Sequence, residues 1–354
     1  MKILHVITSL QTGGAEKLMV DLLPRLKQMG HEVELCVFDG TKTPFYEQLE
    51  ATGIPIHPLS IGESVYNPKH IFRLCRLMKD FDIVHTHNTS PQLFAAIAYI
   101  FGKQILITTE HNTTNRRRDK WYLKLGDLWM YRQYRKIICI SDQARDNLVN
   151  YIGEYSRIVT VYNGIDIARF ANAELIENPD TSIKTISMVS AFRPQKDHKT
   201  LIKAFCLLPD NYLLQLVGDG ELRKETENFA KQFSCADRIH FMGNRSDIPA
   251  ILKGSDVIVL SSHYEGLSLS SIEGMASGTP FIASDVDGLH EIVDGYGLLF
   301  PHEEEHALAA SIIKVCEDKI YAKKIAEQCQ RRAAQFDIRK MAENYNQVYM
   351  QLKQ

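Results

Sequence analysis

Sequence marks of a disulfide framework or a metal-sulfur site are missing from this chain. Its seven cysteines, at 36, 75, 139, 206, 235, 316 and 329, include no CxxC pair and no Cys or His spacing of a zinc site. An odd, scattered set of this kind reads as buried thiols in a reducing compartment. Long apolar runs are also missing. The longest, Leu93 to Phe101, is far shorter than the ~20 residues that cross a bilayer. The opening MKILHVITSL is too short and too polar around Ser9 to Gln11 for a secretory leader, and reads as a first strand. There is no strong net charge: 41 basic and 43 acidic side chains leave −2, so nothing global draws the chain to nucleic acid. No GxGxxG follows a strand, which leaves a nicotinamide dinucleotide site unsupported. No short-period repeat and no low-complexity tract interrupts the chain.

What is present is a long, ordinary globular composition. With 354 residues the chain exceeds the size at which one core keeps growing, so two domains are expected. Charge is uneven between the halves. Residues 1–170 carry 21 basic and 17 acidic side chains, and the remainder carries 20 and 26. The first half is therefore the one expected to meet an anionic partner.

Short β-rich runs alternate with amphipathic helical stretches, the pattern of βαβ units and parallel sheets. In the first half strands are expected near 2–8, 32–38, 82–86, 104–109, 136–141 and 158–162. Helices fall between them near 15–29, 68–79, 90–101, 119–135 and 142–152. Turn residues at Asn163-Gly164-Ile165-Asp166 and a polar stretch to about Ser182 read as a linker. The alternation then restarts, with strands near 184–190, 212–217, 238–242, 256–260 and 280–284 and helices near 197–208, 221–233, 246–252 and 268–277. Beyond Glu303 the chain reads as helical. The expected architecture is α/β, with two Rossmann-like doubly wound domains facing across a cleft. The first spans 1–170 and the second 171–335, and 336–354 forms a last helix. Ligands of such sheets bind beyond the carboxyl ends of the strands.

Candidate chemistry gathers at those strand ends. Gly13-Gly14 precede the first helix, where bare amides and a helix N-terminus favour phosphate. His85-Thr86-His87 close one strand and Glu110-His111 the next. His85 reads as a hydrogen-bonded histidine, and His111, before a polar loop, as the one that touches substrate. Arg193 and Lys196 follow the first strand of the second half and suit a diphosphate. Glu265-Gly266-Leu267-Ser268-Leu269 lead into a helix carrying Glu273. Amides of that loop can hold phosphate or sugar oxygens, Glu265 can hold hydroxyls, and Glu273 can take a ribose diol. Metal is suggested by the two histidine sets, which lack the zincin helix spacing, and by two D-x-D triplets, Asp80/Asp82 and Asp285/Asp287. Asp80/Asp82 lies on the wrong edge of its strand, and Asp285/Asp287 has the character of a turn opening a helix. No metal and no cofactor are expected.

Taken together these motifs resemble the retaining GT-B glycosyltransferases of family 4, along nearly the whole chain. The matching elements are Gly13-Gly14-Ala15-Glu16, Asp82 to His85, Val161 to Asp166, Pro194 to Asp197, Gly218-Asp219-Gly220, and Glu265 to Pro280 with its E-x7-E spacing. The resemblance implies that Gly14 approaches the donor phosphates and that His111 sits beside the transferred sugar. It further implies that Lys196 neutralises the leaving diphosphate, that Glu265 holds sugar hydroxyls and Glu273 the ribose, and that the last helix returns to the first domain. The chain departs from the family pattern at Ala191, where an arginine usually stands, and Arg193 is the nearest replacement. The implied activity is transfer of a hexose-type sugar from a UDP- or GDP-linked donor to a glycan or lipid-linked acceptor, in surface polysaccharide or glycoconjugate assembly. The rival readings are a nucleotide-sugar epimerase, which needs no acceptor, and a non-catalytic sensor, which would have lost Glu265, Lys196 or Glu273.

The segment 115–136 combines Arg116, Arg117, Arg118, Lys120, Lys124, Arg132, Arg135 and Lys136 with both tryptophans, Trp121 and Trp129. Tyr122, Leu125 and Trp129 share a helical face. Cations flanking interfacial aromatics suit a helix lying on anionic lipid. The alternative is that the aromatics pack into the domain core. The thiol reading places the chain in the cytoplasm, and docking of this helix would make it peripheral on the inner face of the cytoplasmic membrane.

Overall fold

The computed structural model describes residues 1–11, 13–111, 118, 120–153, 156–175, 180 and 182–352. The chain divides into two compact units, one formed by Met1–Gly164 with Ile338–Gln354 and the other by Ile165–Asp337.

In the first unit seven strands form one parallel sheet: β1 (Lys2–Ile7), β2 (Glu32–Asp39), β3 (Ile56–Ser60), β4 (Ile83–His87), β5 (Ile105–Glu110), β6 (Lys136–Cys139) and β7 (Ile158–Thr160). Their order is β3-β2-β1-β4-β5-β6-β7. Alternation along β1 fixes its two faces. Ile3 and Ile7 join a cluster with the helices Gly14–Gln28 and Ile338–Leu352, while Leu4 and Val6 face the cluster of Leu74, Phe94 and Leu148 on the other side. Both faces are apolar because both are covered, as parallel sheets require.

In the second unit six strands form another parallel sheet: β8 (Lys184–Val189), β9 (Tyr212–Val217), β10 (Ile239–Gly243), β11 (Val257–Leu260), β12 (Phe281–Asp285) and β13 (Leu298–Pro301). Their order, β10-β9-β8-β11-β12-β13, repeats the first unit's inner arrangement. In each sheet the chain turns back beside its first strand, and that reversal opens a crevice at the carboxyl ends. The two crevices are flanked by β1 and β4 in one unit and by β8 and β11 in the other.

Four short elements do not announce themselves in the sequence: the helices Pro44–Glu50 and Ile167–Ala171 and the strands β3 and β13. Ile167–Ala171 lies inside the expected linker, capped by Asp166 through its bond from the Arg169 amide. The cysteine expectation also needs correction. Cys206 and Cys235 form a disulfide, with Cα atoms 5.5 Å apart, because the helix His198–Phe205 and the turn before β10 bring residues 29 apart together. The other five cysteines are free. The inference of a reducing compartment from unpaired thiols therefore loses its basis.

Candidate active site

In the second unit, β8 ends in the turn Ala191–Lys196, and β11 ends in the loop that carries Glu265. A backbone bridge joins Lys196 to Ser262, and the His263 amide donates to the Gln195 carbonyl at 2.9 Å. These ties bring the Lys196 ammonium onto the Glu265 carboxylate. The pair is nearly enclosed, with 11% and 5% of the two side chains exposed. Glu265 has further partners: Gln195 Nε2 donates to its Oε2 at 2.9 Å, and Ser262 Oγ to its Oε1 at 2.8 Å. A carboxylate removed from water needs such a set of donors. Gly288 holds the other side of this loop. Its φ is +81°, and a Cβ there would stand 2.4 Å from the Gly266 carbonyl oxygen, so only glycine permits the approach.

The amides of Gly266, Leu267, Ser268 and Leu269 lead into the helix Leu269–Ala276, whose N-cap is Ser268. Glu273 lies half-buried on that helix. Arg193 is exposed on the turn after β8, and no ion pair joins it to another described residue. Lys196 and Glu265 meet at the strand ends, but Gln195 and Ser262 were missed as partners of Glu265. The adjacency of Gln195 to Lys196 and the S-x-x-E spacing were the available signals.

In the first unit Gly13 caps the helix Gly14–Gln28, with extended backbone and no side-chain cap. The Glu16 side chain folds back over it, and a Cβ on Gly13 would meet Glu16 Oε2 at 2.2 Å. Burial raises the Glu16 pKa, while its backbone amide and the Asn88 side chain oppose the rise.

Buried His5, His85 and His87 form a continuous chain with the partly exposed His111. Strand alternation places His5, His85, His87 and Thr109 on the sheet face covered by the helix Ile338–Leu352. His111 Nε2 stands 2.9 Å from His87 Nδ1, and His87 Nε2 stands 3.0 Å from His5 Nδ1. Tyr349 Oη lies 3.5 Å from His5 Nε2 and 2.7 Å from His85 Nδ1, and His85 Nε2 meets Thr109 Oγ1 at 2.8 Å. Burial holds all four rings neutral. It depresses His111 to about 4 and His5 to about 3, and pushes His85 and His87 well below the ordinary range, with neighbouring histidines adding to the effect.

A neutral imidazole has one N–H and one lone pair. His87 must then donate from one nitrogen and accept at the other, so the chain runs in a single direction. That direction decides whether His111 Nδ1, buried and without a hydrogen-bond partner among the described residues, offers an N–H or a lone pair.

Neither D-x-D triplet assembles a metal site among the described residues. Asp82 accepts from the Lys2 amide at 2.8 Å, and Asp285 pairs with His290 at 2.6 Å.

Two family profiles divide the chain between them. "Glycosyltransferase Family 4" matches residues 12–169, and "Glycosyl transferases group 1" matches residues 173–334. The chain belongs to the GT-B glycosyltransferases of family 4. Its two parallel-sheet Rossmann-like units are those of that fold. Among similar proteins, the Escherichia coli UDP-Gal:alpha-D-GlcNAc-diphosphoundecaprenol alpha-1,3-galactosyltransferase is 25% identical over 99% of this chain and 97% of its own. The Mycolicibacterium smegmatis phosphatidyl-myo-inositol mannosyltransferase is 27% identical over 86% and 82%. The crystal structure of Anabaena HepE in complex with UDP superposes with a TM-score of 0.86 at 20% identity, covering 99% of this chain and 100% of that one.

The segment 115–136 divides into two populations. Trp121, Tyr122 and Leu125 are 84%, 60% and 81% exposed, and Trp129 is partly so, whereas Tyr131 and Tyr134 are buried. Arg118 is no surface cation. It pairs with Glu110 at 3.1 Å, and Tyr131 Oη and Gln92 Nε2 donate to the same carboxylate. Arg116 and Arg117 lie outside the described residues.

Proposed function

We propose that this chain is a retaining, metal-independent glycosyltransferase that moves a hexose-type sugar from a UDP- or GDP-linked donor to a lipid-linked or glycan acceptor. The Lys196–Glu265 pair at the β8/β11 crevice carries the reading, because it sets a cation and a hydroxyl acceptor side by side where a parallel sheet binds ligands. Lys196 neutralises charge on the departing diphosphate, with Arg193 as a second cation, and the amides of Gly266 to Leu269 add to that field. Glu265 holds hydroxyls of the transferred sugar, and Glu273 holds the ribose. On the first unit, the Gly13 and Gly14 amides approach the donor phosphates, and His111 touches the sugar. Attack occurs on the face the leaving group departs from, and the departing phosphate takes the acceptor proton.

The names of the two relatives favour a lipid-linked acceptor, and that of the E. coli protein favours a UDP donor. Trp121, Tyr122, Leu125 and Trp129, flanked by exposed Lys120, Lys124 and Arg132, form an apolar patch with a basic rim that suits the inner face of the cytoplasmic membrane. No helix among the described residues is long and apolar enough to cross that membrane.

The deciding experiment offers purified chain UDP- and GDP-hexoses with a diphosphoundecaprenol-linked sugar, with EDTA throughout. Product with the donor's anomeric configuration, read by NMR, is expected. An inverted linkage would overturn the retaining mechanism, and a loss that only manganese or magnesium restores would overturn metal independence. Donor consumed without any acceptor would favour an epimerase or hydrolase.

A further inference from the structure

The second unit carries a cluster that the transfer reaction does not use. Asp197 follows Lys196 at the end of β8, His263 follows β11, and His302-Glu303 follow β13. Each offers one ligand atom, and the four atoms lie within 4.8 Å of one another. We propose that these residues form a binding site for a divalent cation of the zinc class.

The geometry favours an ion over a set of ordinary hydrogen bonds. His263 Nδ1 stands 2.9 Å from His302 Nε2 and 3.2 Å from Glu303 Oε1, and His302 Nε2 is 3.8 Å from the same carboxylate oxygen. Three ligand atoms thus converge on one point, although His263 Nδ1 holds a single proton or a single lone pair to share between two neighbours. Ligands at the Zn–N and Zn–O distances of a tetrahedral site stand roughly 3.3 Å apart, and the distances among His263, His302 and Glu303, 2.9 to 3.8 Å, bracket that value, with Asp197 inside 4.8 Å.

Asp197 supplies the independent observation. Its side chain is 4% exposed, and its Oδ1 is spent on the Thr200 amide as the cap of the helix His198–Phe205. Its Oδ2 is buried with no hydrogen-bond partner among the described residues. An unsatisfied buried carboxylate oxygen is costly, and a cation within reach would remove that cost.

The donor set defines the ion. Two imidazoles and two carboxylates balance a doubly charged cation and suit zinc, whereas magnesium prefers oxygen ligands in octahedral array. His263 and His302 are about one-third exposed, which gives an ion a way in.

The first unit offers an instructive contrast. His5, His85 and His87 also lie close together, but both nitrogens of each already have partners, so they form a relay and not a ligand set. The proposed ion has a holding role. Its ligands include neither Lys196 nor Glu265, yet Asp197 immediately follows Lys196 and His263 precedes Glu265 by two positions, so it would clamp the two loops that present that pair.

The test uses the full chain stripped with EDTA and desalted. Titration with zinc chloride, followed by calorimetry and thermal melting, should show one equivalent bound and a raised Tm, with magnesium inert. His263→Ala/His302→Ala should weaken zinc binding at least tenfold and abolish the Tm rise. Asp197→Asn, which keeps the capping oxygen but not the charge, should weaken it less. Equal melting of all variants in EDTA would show that they fold. His290→Ala, which removes an exposed histidine elsewhere on this unit, should bind zinc as wild type does. Absence of zinc binding, or binding unchanged in the double variant, would overturn the site. Neither readout involves sugar transfer, so failure here leaves the glycosyltransferase reading standing.

Discussion

Lys196 and Glu265 are each other's partner, which couples donor use to folding. Lys196→Met leaves a buried carboxylate unpaired and should cost about 3–5 kcal/mol, whereas Lys196→Met/Glu265→Gln should recover most of that. Urea midpoints of the three proteins check this, and a double variant no more stable than the single would refute the coupling. In kinetics, Lys196→Ala and Glu273→Ala should each weaken donor use by roughly 1–3 kcal/mol. Glu265→Ala should lower kcat more than it raises donor KM. The histidine relay makes a separate prediction. Its folded pKa values lie below the ordinary 6.5 or so, so the unfolded chain takes up protons first. Stability is therefore full above about pH 6.5 and falls on acidification toward 4, by up to ~1.4 kcal/mol per unit for each ring. Equal urea midpoints at pH 7.5 and 5 would contradict this. At this scale the sequence displayed Lys196, Glu265 and His111 through their strand-end positions. It hid Tyr349, because a hydrogen bond between residues 264 positions apart leaves no local pattern, whereas Ser262 lies three residues before Glu265 and was within local reach.

Helices and strands with a full period of apolar residues were legible, and the short ones were not. β3, reading IHPLS, carries a proline and lies at the sheet edge, where a missing amide is tolerated but alternation fades. β13 has four residues and the helix Ile167–Ala171 five, too few to display a period. The helix Lys124–Arg132 was legible as amphipathic, but which aromatics faced outward was not. The structure separates them, and the docking test follows from that. Trp121→Ser/Leu125→Ser should reduce co-sedimentation with anionic vesicles while leaving melting unchanged, and salt should weaken what remains. Arg118→Ser should instead lower Tm, because it leaves the buried Glu110 without its cation. Vesicle binding unaffected by the first pair would rule out this helix as the docking element.

The two units share one strand order but differ in how the chain builds them. The second is a single stretch, Ile165–Asp337, while the first needs both Met1–Gly164 and the final helix. That helix brings Met341, Tyr345 and Tyr349 into the first core, and Tyr349 closes the histidine relay. Deleting 338–354 should therefore melt the first unit well below the second, splitting one calorimetric transition into two. A truncated chain that still melts as wild type would show the helix to be dispensable. The discontinuity also sets an order of events during synthesis. Translation at ~5–20 residues per second separates Gly164 from Ile338 by roughly ten to thirty seconds. That interval is spent making the second unit, which is complete only as Asp337 is added, while the first waits on the ribosome with one sheet face bare. A chaperone that holds nascent apolar surface would find its substrate there, and release would come only when the last tyrosines arrive.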